Sequence, residues 1–440
     1  MKSLYLNNRF FFALIFIGVV YILGFFYPFF VGLGHALLVI ASLALVLDWF
    51  LLYGQKNGIL AQRILPEKLS NGDRNTVKLE LQNRYFFTTK VSIIDEVPFQ
   101  FQQRDFLIVK KIKSGKPISI HYQLNPKERG EYLFGGLNVF VQSPLGLAAR
   151  RFVFQKEAVL KSYPSFIHLR KYELMALQNE FLMGGIKKIR RLGHTMEFEQ
   201  IKEYVQGDDV RTINWKATSK QNKLMVNQYQ EEKSQRIYLL IDKGRTMQMP
   251  FHGMTLLDYS INASMALSHI ILKKGDRAGM MTFSKKMENK IPADNKSGQL
   301  KKISEALYNI QTAFFESDFN RLYQDLKLMV NQRSLVLLFT NFETMDNLQR
   351  QMKYLRGIAK NHLLVVVFFK NSELYTLMQK KSESLEETYD QIIAEKFDFE
   401  KKLIIQELRK YGILSLYTQP ENLSLDVINK YLEIKARGLI

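Results

Sequence analysis

The chain has 440 residues, 47% hydrophobic and 12% aromatic, which is enough apolar material for more than one folded core and excludes a disordered chain. It has no cysteine, which excludes disulfide bonds, cysteine metal clusters and thiolate catalysis. Lys and Arg number 62 against 42 Asp and Glu, a formal net charge of +20 that attracts polyanions, so the location of the protein decides which polyanion it meets.

Two long apolar runs open the chain. Every residue from Phe10 to Phe26 is apolar, aromatic or glycine, and a second run from Phe29 to Leu47 follows after Tyr27 and Pro28. Each run approaches the roughly 20 residues that cross a bilayer, and no small-residue cleavage pattern follows the first. We predict a two-helix transmembrane hairpin over residues 1–54.

The charges that flank the hairpin predict its orientation. The turn between the runs carries no charge, whereas basic residues stand on both outer sides, so the positive-inside rule places both termini and the soluble part in the cytoplasm, facing the inner leaflet of the membrane. Asp48, near the end of the second run, is interpreted as an interfacial residue without a transport role. The flanking basic residues are Lys2, Arg9, Lys56, Arg63, Lys68 and Arg74.

Residues 55–160 show short alternating segments between turn residues. This spacing is typical of half-buried strands and predicts a small β-sandwich, immunoglobulin-like in layout. No acid–base pair stands out there, so we expect a binding or presentation module. The predicted strands are Val77 to Asn83, Val91 to Pro98, Ile118 to Leu124 and Leu137 to Pro144.

Residues 161–234 form a linking segment with two unusual stretches. The first, Gly184 to His194, places four basic residues beside glycines. We interpret it as a flexible basic loop lying against anionic lipid, with a phosphate-binding loop as the alternative. The chain has no GxxxxGK[ST] loop, so nothing supports nucleotide binding there.

The second stretch, GDDVRTINWK, permits a structural and a functional interpretation. In the structural one, Asp208 or Asp209 caps a helix, Arg211 bridges to a carboxylate and the ring of Trp215 is buried beside the cap. In the functional interpretation, a partner protein binds an exposed polar cluster, and Trp215 of this cluster is the apolar residue that anchors the contact. The candidate interaction residues are Gly207, Asp208, Asp209, Arg211, Trp215 and Lys216.

Residues 235–440 alternate apolar strands with helical patterns, which predicts a parallel sheet covered by helices on both faces. Strands are expected at Ile237 to Ile241, Ala278 to Phe283, Ser334 to Phe339, Leu363 to Phe368 and Leu414 to Tyr417. Helices are expected at Leu256 to Lys273, Leu300 to Ile310, Phe319 to Val330, Met345 to Ile358 and Tyr389 to Lys410.

Several of these segments resemble bacterial domain-of-unknown-function family fifty-eight, membrane proteins with a von Willebrand factor A-like (vWA-like) C-terminal domain. The resemblance implies a doubly wound parallel sheet for residues 235–440. Members of this family are commonly encoded beside MoxR-type AAA+ ATPases, which implies such a partner. The similar segments are RGEY (Arg129 to Tyr132), SPLGL (Ser143 to Leu147), Glu197 to Leu224, GDRAGMMTFS (Gly275 to Ser284) and YLEIKARGLI (Tyr431 to Ile440).

The vWA resemblance also implies a place for Mg²⁺ at the sheet edge, where such domains use an Asp-x-Ser-x-Ser loop, a threonine and a further aspartate. Here Gly244 replaces one hydroxyl ligand, and Lys243 and Arg245 bring positive charge, so we expect no cofactor and a metal-free edge. The degenerate candidate ligands are Asp242, Thr246, Ser317 and Asn341.

Two functions of different classes follow. The first is a non-enzymatic, membrane-anchored protein-interaction adaptor that works with a MoxR-type AAA+ ATPase, with other membrane proteins and lipids as contacts. The alternative is an envelope hydrolase that uses the signature carboxylates, which predicts a pocket containing Asp208 or Asp209 with Arg211 and a raised carboxylate pKa. Nucleic-acid binding is not expected, because the charge is accompanied by no recognisable nucleic-acid-binding motif.

Overall fold

The computed structural model describes residues 3–103, 105–155, 157–167, 169, 173, 196–231, 234–371, 374, 377–378 and 384–439, without the side chains of 196–200 and 228–231. The basic loop predicted at Gly184 to His194 lies outside the described residues. The chain forms two compact units, Met1–Tyr163 and Pro164–Ile440.

The first unit begins with two apolar helices, α1 (Asn8–Gly24) and α2 (Phe29–Tyr53). Of these, α2 is long and apolar enough to cross a membrane, whereas α1 is a shorter apolar helix. The helices approach closely at Gly34, where an added Cβ would lie 2.9 Å from the ring of Tyr21. Small residues at such contacts allow two apolar helices to pack side by side.

The remainder of the first unit is built from β-strands in three sheets with the orders β1-β10-β9-β5-β6, β2-β4-β7 and β3-β11-β8. The four strands predicted from alternation correspond to β4, β5, β7 and β9. The strands are β1 (Leu4–Leu6), β2 (Ile59–Ile64), β3 (Leu69–Ser70), β4 (Asn75–Asn83), β5 (Thr89–Asp95), β6 (Ile108–Ile112), β7 (Pro117–Leu124), β8 (Gly130–Phe134), β9 (Leu137–Gln142), β10 (Ala148–Phe154) and β11 (Ala158–Tyr163).

The second unit opens with an antiparallel pair, β12 (Met196–Glu203) and β13 (Met225–Glu231), whose connection contains the short helix α3 (Trp215–Gln221). A small pair follows, β15 (Pro250–Phe251) with β16 (Met254–Thr255). We call residues 201–224 the signature hairpin, because they hold the GDDVRTINWK stretch.

A six-stranded sheet with the order β18-β17-β14-β19-β20-β21 forms the core of the second unit. Its alternating strand and helix order agrees with the sequence prediction. The strands are β14 (Arg236–Asp242), β17 (Arg277–Phe283), β18 (Met287–Asp294), β19 (Leu335–Phe339), β20 (Leu363–Phe369) and β21 (Leu414–Thr418). The helices are α4 (Leu256–Lys273), α5 (Gln299–Tyr308), α6 (Phe319–Met329), α7 (Met345–Asn361), α8 (Leu385–Lys410) and α9 (Leu423–Ala436).

Helices cover both faces of this sheet. Ile237 and Leu239 of β14 pack with side chains of α4, α5 and α9, whereas Tyr238 and Leu240 pack with α6, α7 and α8. Alternate residues of a strand point to opposite faces, so a strand buried on both sides is apolar throughout. This double burial explains why the sequence of β14 is a continuous apolar run.

The predicted all-parallel sheet is corrected by β18, which pairs antiparallel with β17 at the sheet edge. Its sequence, MENKIPAD, is half polar and contains Pro292, features that suit an edge strand with one face toward water. The sheet is therefore mixed.

The order of the strands reverses at β14. The chain passes from β14 to β17 on one side and later returns to β19 on the other side. In open α/β sheets, ligands bind outside the carboxyl ends of the strands at this reversal. Asp242, the last residue of β14, lies at that position.

Candidate functional site

A network of hydrogen bonds surrounds the carboxylate of Asp242, which is 2% exposed. Its Oδ1 accepts from the backbone N–H of Gly244 at 2.8 Å and from the hydroxyl of Ser317, and its Oδ2 accepts from the hydroxyl of Thr340 at 2.7 Å. Burial raises the pKa of Asp242, although the three hydrogen bonds oppose that shift. The network joins the carboxyl ends of β14 and β19.

Gly244 makes room for this network. A Cβ added at Gly244 would lie 2.3 Å from the hydroxyl oxygen of Ser317 and 3.1 Å from Oδ1 of Asp242. The sequence predicts the loss of a hydroxyl ligand at Gly244. The structure shows that the hydroxyl of Ser317 occupies the space that a side chain at this position would fill.

The predicted ligand set is brought together only in part. Asp242 and Ser317 are in contact, but Asn341 is directed elsewhere, since its Oδ1 accepts from Nζ of Lys401 at 3.1 Å. Thr340, which the sequence analysis did not name, makes the contact to Asp242 instead. Its signal was its place directly after the apolar run of β19.

The basic residues of this loop are paired. Nζ of Lys243 lies 2.5 Å from Oε2 of Glu288, and the guanidinium of Arg245 lies 4.0 Å from the carboxylate of Glu316. Among the described residues, no group of three or more His, Cys, Asp and Glu side chains is placed to hold a metal ion. The oxygens around Asp242 fit a cation poorly, because they are already engaged by hydroxyl, amide and ammonium donors.

The signature hairpin is ordered by its own carboxylates and amides. Asp208 accepts from Nζ of Lys202 at 2.8 Å and from the N–H of Val205 at 3.0 Å, and the Lys202 contact is the main reason that the pKa of Asp208 is lowered. Asp209 accepts from the N–H of Arg211 at 3.0 Å and so caps a single 3-10 turn. Of the two aspartates predicted to cap a helix, Asp209 therefore caps a 3-10 turn and not the α-helix α3.

Trp215 does not bury its ring, so that part of the structural interpretation is wrong. The residue is 71% exposed. Asn214, rather than an aspartate, caps α3, and its Oδ1 accepts a hydrogen bond from the N–H of Ala217 at 3.0 Å. Val205 and Val210 are each 62% exposed. Gly207, Arg211 and Lys216, which complete the candidate cluster, are also exposed.

Asp48 has a structural role that the sequence analysis missed. It is fully buried and accepts from the N–H of Leu147 at 2.9 Å, the N–H of Ala148 at 2.7 Å and the hydroxyl of Ser143. Thus the carboxylate in α2 binds the SPLGL segment, which precedes β10. Three protein donors therefore replace the solvation of this carboxylate.

Arg150 adds a second attachment between α2 and β10. Its guanidinium donates to the carbonyl oxygens of Leu52 at 2.7 Å and Gln55 at 2.9 Å, and it lies over the ring of Tyr53. The last carbonyl groups of a helix lack partners within the helix, so a cation is favourable there. We call the contacts of Asp48 and Arg150 the α2 clasp.

Two other family-like segments meet at Asp276, the residue before β17. Its carboxylate accepts from the N–H of Gln235 at 2.9 Å, from the hydroxyl of Tyr431 and from Nζ of Lys435 at 2.7 Å. Tyr431 and Lys435 belong to α9. Through these hydrogen bonds, the segment YLEIKARGLI connects α9 to the start of β17, which is a structural role.

Comparisons with known proteins identify relatives without an assigned activity. Residues 200–377 match a family model described as "Protein of unknown function DUF58". The chain is similar to the uncharacterized protein YeaD of Bacillus subtilis (strain 168), with 22% identity over 240 residues. That alignment covers 53% of this chain and 58% of the relative, so the chain spans little more than half of the curated relative it matches.

Solved structures show weak likenesses. A PapD-like domain of human CEP192 covers 25% of this chain and 87% of its own, with 12% identity and a TM-score of 0.20. Proximal thread matrix protein 1 from the mussel byssus covers 46% of this chain and 47% of its own, with 9% identity and a TM-score of 0.26. At these TM-scores neither likeness assigns a fold.

Proposed function

We propose that the chain is a membrane-anchored protein-interaction adaptor of the bacterial inner membrane. Its second unit is a vWA-like domain that works with a MoxR-type AAA+ ATPase in the assembly or regulation of envelope or metal-dependent complexes. The observation that carries the proposal is the signature hairpin, which presents an exposed Trp215 among exposed charged and apolar side chains.

The side chains of the signature hairpin suit a protein partner. Tryptophan and arginine are the residues that most often dominate binding energy at protein interfaces, and Trp215 and Arg211 are both exposed on the signature hairpin. The caps at Asp209 and Asn214 fix the backbone between them before any partner arrives. A pre-ordered loop loses less entropy on binding, which favours affinity.

The architecture of the second unit supports a vWA-like domain. Strand order reverses at β14, helices cover both faces, and Asp242 ends the first central strand. In our proposal the sheet edge around Asp242 holds no metal and contributes to protein contact or to the stability of the domain. Its oxygens are already bonded, since Lys401 donates to Asn341 and two hydroxyls donate to Asp242.

The adaptor is tested by capture from native membranes. The full-length protein is compared with a variant carrying Arg211→Ala and Trp215→Ala, and with the matched control Leu328→Ala, which removes a 77% exposed apolar side chain from the same unit. We expect mass spectrometry to find a AAA+ ATPase with the wild type and the control, and several-fold less with the double variant. Equal recovery with all three proteins contradicts the proposal.

The membrane topology is tested separately with a membrane-impermeant maleimide, because the natural chain has no cysteine. In our proposal α1 and α2 both span the membrane and the second unit faces the cytoplasm. Tyr27→Cys, between the helices, is then labelled in intact spheroplasts, whereas Ser219→Cys, on the exposed side of α3, is labelled only after lysis. The reverse pattern refutes the orientation.

The hydrolase alternative is not favoured. It requires a signature carboxylate with a raised pKa, but the pKa of Asp208 is lowered by Lys202. A cavity of about 500 Å³ at the ends of β20 and β21 is lined by no residue of the signature hairpin. We therefore retain the adaptor as the single proposed function.

A further inference from the structure

We propose that a cavity at the carboxyl edge of the six-stranded sheet binds an uncharged, largely apolar small molecule through one carbonyl oxygen, which accepts a hydrogen bond from Lys401. This ligand site goes beyond the adaptor function and does not depend on it. The proposal stands on the shape, lining and charge of the cavity.

The cavity has a volume of about 500 Å³ and is enclosed mainly by apolar side chains. Small-molecule sites typically measure roughly 300–1,000 Å³, with apolar walls and a few placed polar groups. The walls come from elements remote in sequence, which the fold brings together at the ends of β20 and β21. The apolar lining residues include Met249, Phe251, Leu256, Phe369, Leu374 and Met378.

Lys401 of α8 supplies the polar contact. Its Nζ donates to Oδ1 of Asn341 at 3.1 Å and to the carbonyl oxygen of Phe342. An ammonium has three N–H donors, so these two bonds leave one for an acceptor in the cavity. Desolvation lowers the pKa of Lys401 to about 8, which reflects the apolar surroundings of the group.

The charges of the lining determine the class of ligand. Glu343 and Asp398 also line the cavity, and the carboxylate of Glu343 acts electrostatically on Lys401. Asp398 is paired with Lys402 at 2.8 Å and accepts from the hydroxyl of Tyr417 at 3.4 Å. A ligand carboxylate would be repelled by these two carboxylates, whereas a neutral carbonyl carries no net charge for them to repel. We infer an uncharged ketone, aldehyde or ester.

Benzophenone is a suitable probe, because it is uncharged, apolar, carries one carbonyl oxygen and forms covalent bonds to neighbouring side chains on irradiation. The full-length protein in detergent is irradiated with it, and tandem mass spectrometry locates the labels. We expect saturable labelling of peptides that contain Met249 or Met378. Labelling confined to α1 and α2, or labelling at the cavity that does not saturate, overturns the proposal.

The preference for an uncharged ligand is tested with a matched pair of probes, and the contact to Lys401 is tested with a matched pair of variants. 4-Benzoylbenzoate has the same body with an added carboxylate, and we expect several-fold weaker cavity labelling than with benzophenone. Lys401→Met keeps the length of the side chain and should weaken labelling about threefold or more, as for loss of one hydrogen bond. Lys396→Met, an exposed residue on the same helix, is the control and should leave labelling unchanged.

A variant that narrows the cavity distinguishes loss of the site from misfolding. Leu374 is half-buried in the cavity wall, so Leu374→Trp should weaken cavity labelling several-fold while the thermal unfolding of the protein stays close to that of the wild type. Labelling that is unchanged in this variant overturns the site. Stronger labelling by the carboxylate probe, or unchanged labelling in Lys401→Met, overturns the assignment of the ligand class.

Discussion

The hydroxyl of Thr340 donates a hydrogen bond of 2.7 Å to Oδ2 of Asp242, and this bond joins the carboxyl ends of β19 and β14. Thr340→Val keeps the shape of the side chain and removes the donor. Because the buried carboxylate then lacks one partner, we expect the free energy of unfolding of the second unit to fall by about 1–3 kcal/mol. Pulse proteolysis in urea measures it.

The control for this variant is Thr344→Val at the N-cap of α7, where the hydroxyl accepts a long hydrogen bond of 3.4 Å from the N–H of Asn347. Loss of an N-cap costs typically about 1 kcal/mol. The importance of the Asp242 network is refuted if Thr340→Val costs less than this control.

The contact between Gly244 and Ser317 predicts a coupling between two substitutions. Gly244→Ala places a Cβ 2.3 Å from the Ser317 hydroxyl. Because of this overpacking, we expect the free energy of unfolding of the second unit to fall by about 1–3 kcal/mol. Ser317→Ala removes that hydroxyl and should partly relieve the clash in the double variant. A double-mutant cycle from urea unfolding measures the coupling, and strictly additive costs would show that the two positions do not interact.

The buried carboxylate of Asp48 predicts local protection of backbone amides. Asp48→Ala removes the acceptor of the Leu147 and Ala148 N–H groups, with an expected local cost of about 1–3 kcal/mol. Hydrogen exchange of the peptide spanning residues 143–150, followed by mass spectrometry, should therefore become about tenfold faster or more. Trp49→Ala, beside it on the more exposed side of α2, is the control and should leave exchange unchanged.

The lowered pKa of Lys401 leads to a prediction of how the stability of the protein changes at alkaline pH. Its pKa is about 8 in the folded protein against 10.5 ordinarily, so between these values the unfolded chain binds more protons. Stability due to this group therefore rises as the pH increases from about 8 to 10.5, and it is constant below 8, where both states are protonated. The measurement is urea unfolding of the wild type and of Lys401→Met. Their difference should increase with pH over this interval, and a flat or falling difference would falsify the assignment.

The central sheet of the second unit was predictable because its strands are buried on both faces. Leu335–Phe339, for example, is apolar at every position, and this continuous run marks a covered strand without any knowledge of its neighbours. β18 was not predicted for the opposite reason, since a largely exposed edge strand with half of its residues polar resembles a loop. Edge pairing depends on the adjacent strand, which a local pattern does not reveal.

The site was harder to predict because its contacts join distant parts of the chain. Asp48 and Ser143 are separated by 95 positions, and no local periodicity records that they meet. The ends of β14 and β19 were identified from the sequence, but the predicted candidate there was Asn341, one residue after Thr340, which makes the contact to Asp242. Successive residues in extended backbone point in opposite directions, so such a shift changes the chemistry of the site.

The α2 clasp also has a mechanical consequence. Asp48 accepts a hydrogen bond from the N–H of Ala148 at the start of β10, and Arg150 of β10 donates to the carbonyl oxygen of Leu52. One strand therefore binds α2 at two positions that are one turn apart. Two such anchors resist both sliding and rotation of the helix end. A change in the tilt of α2 must therefore be transmitted as strain into the sheet that contains β10.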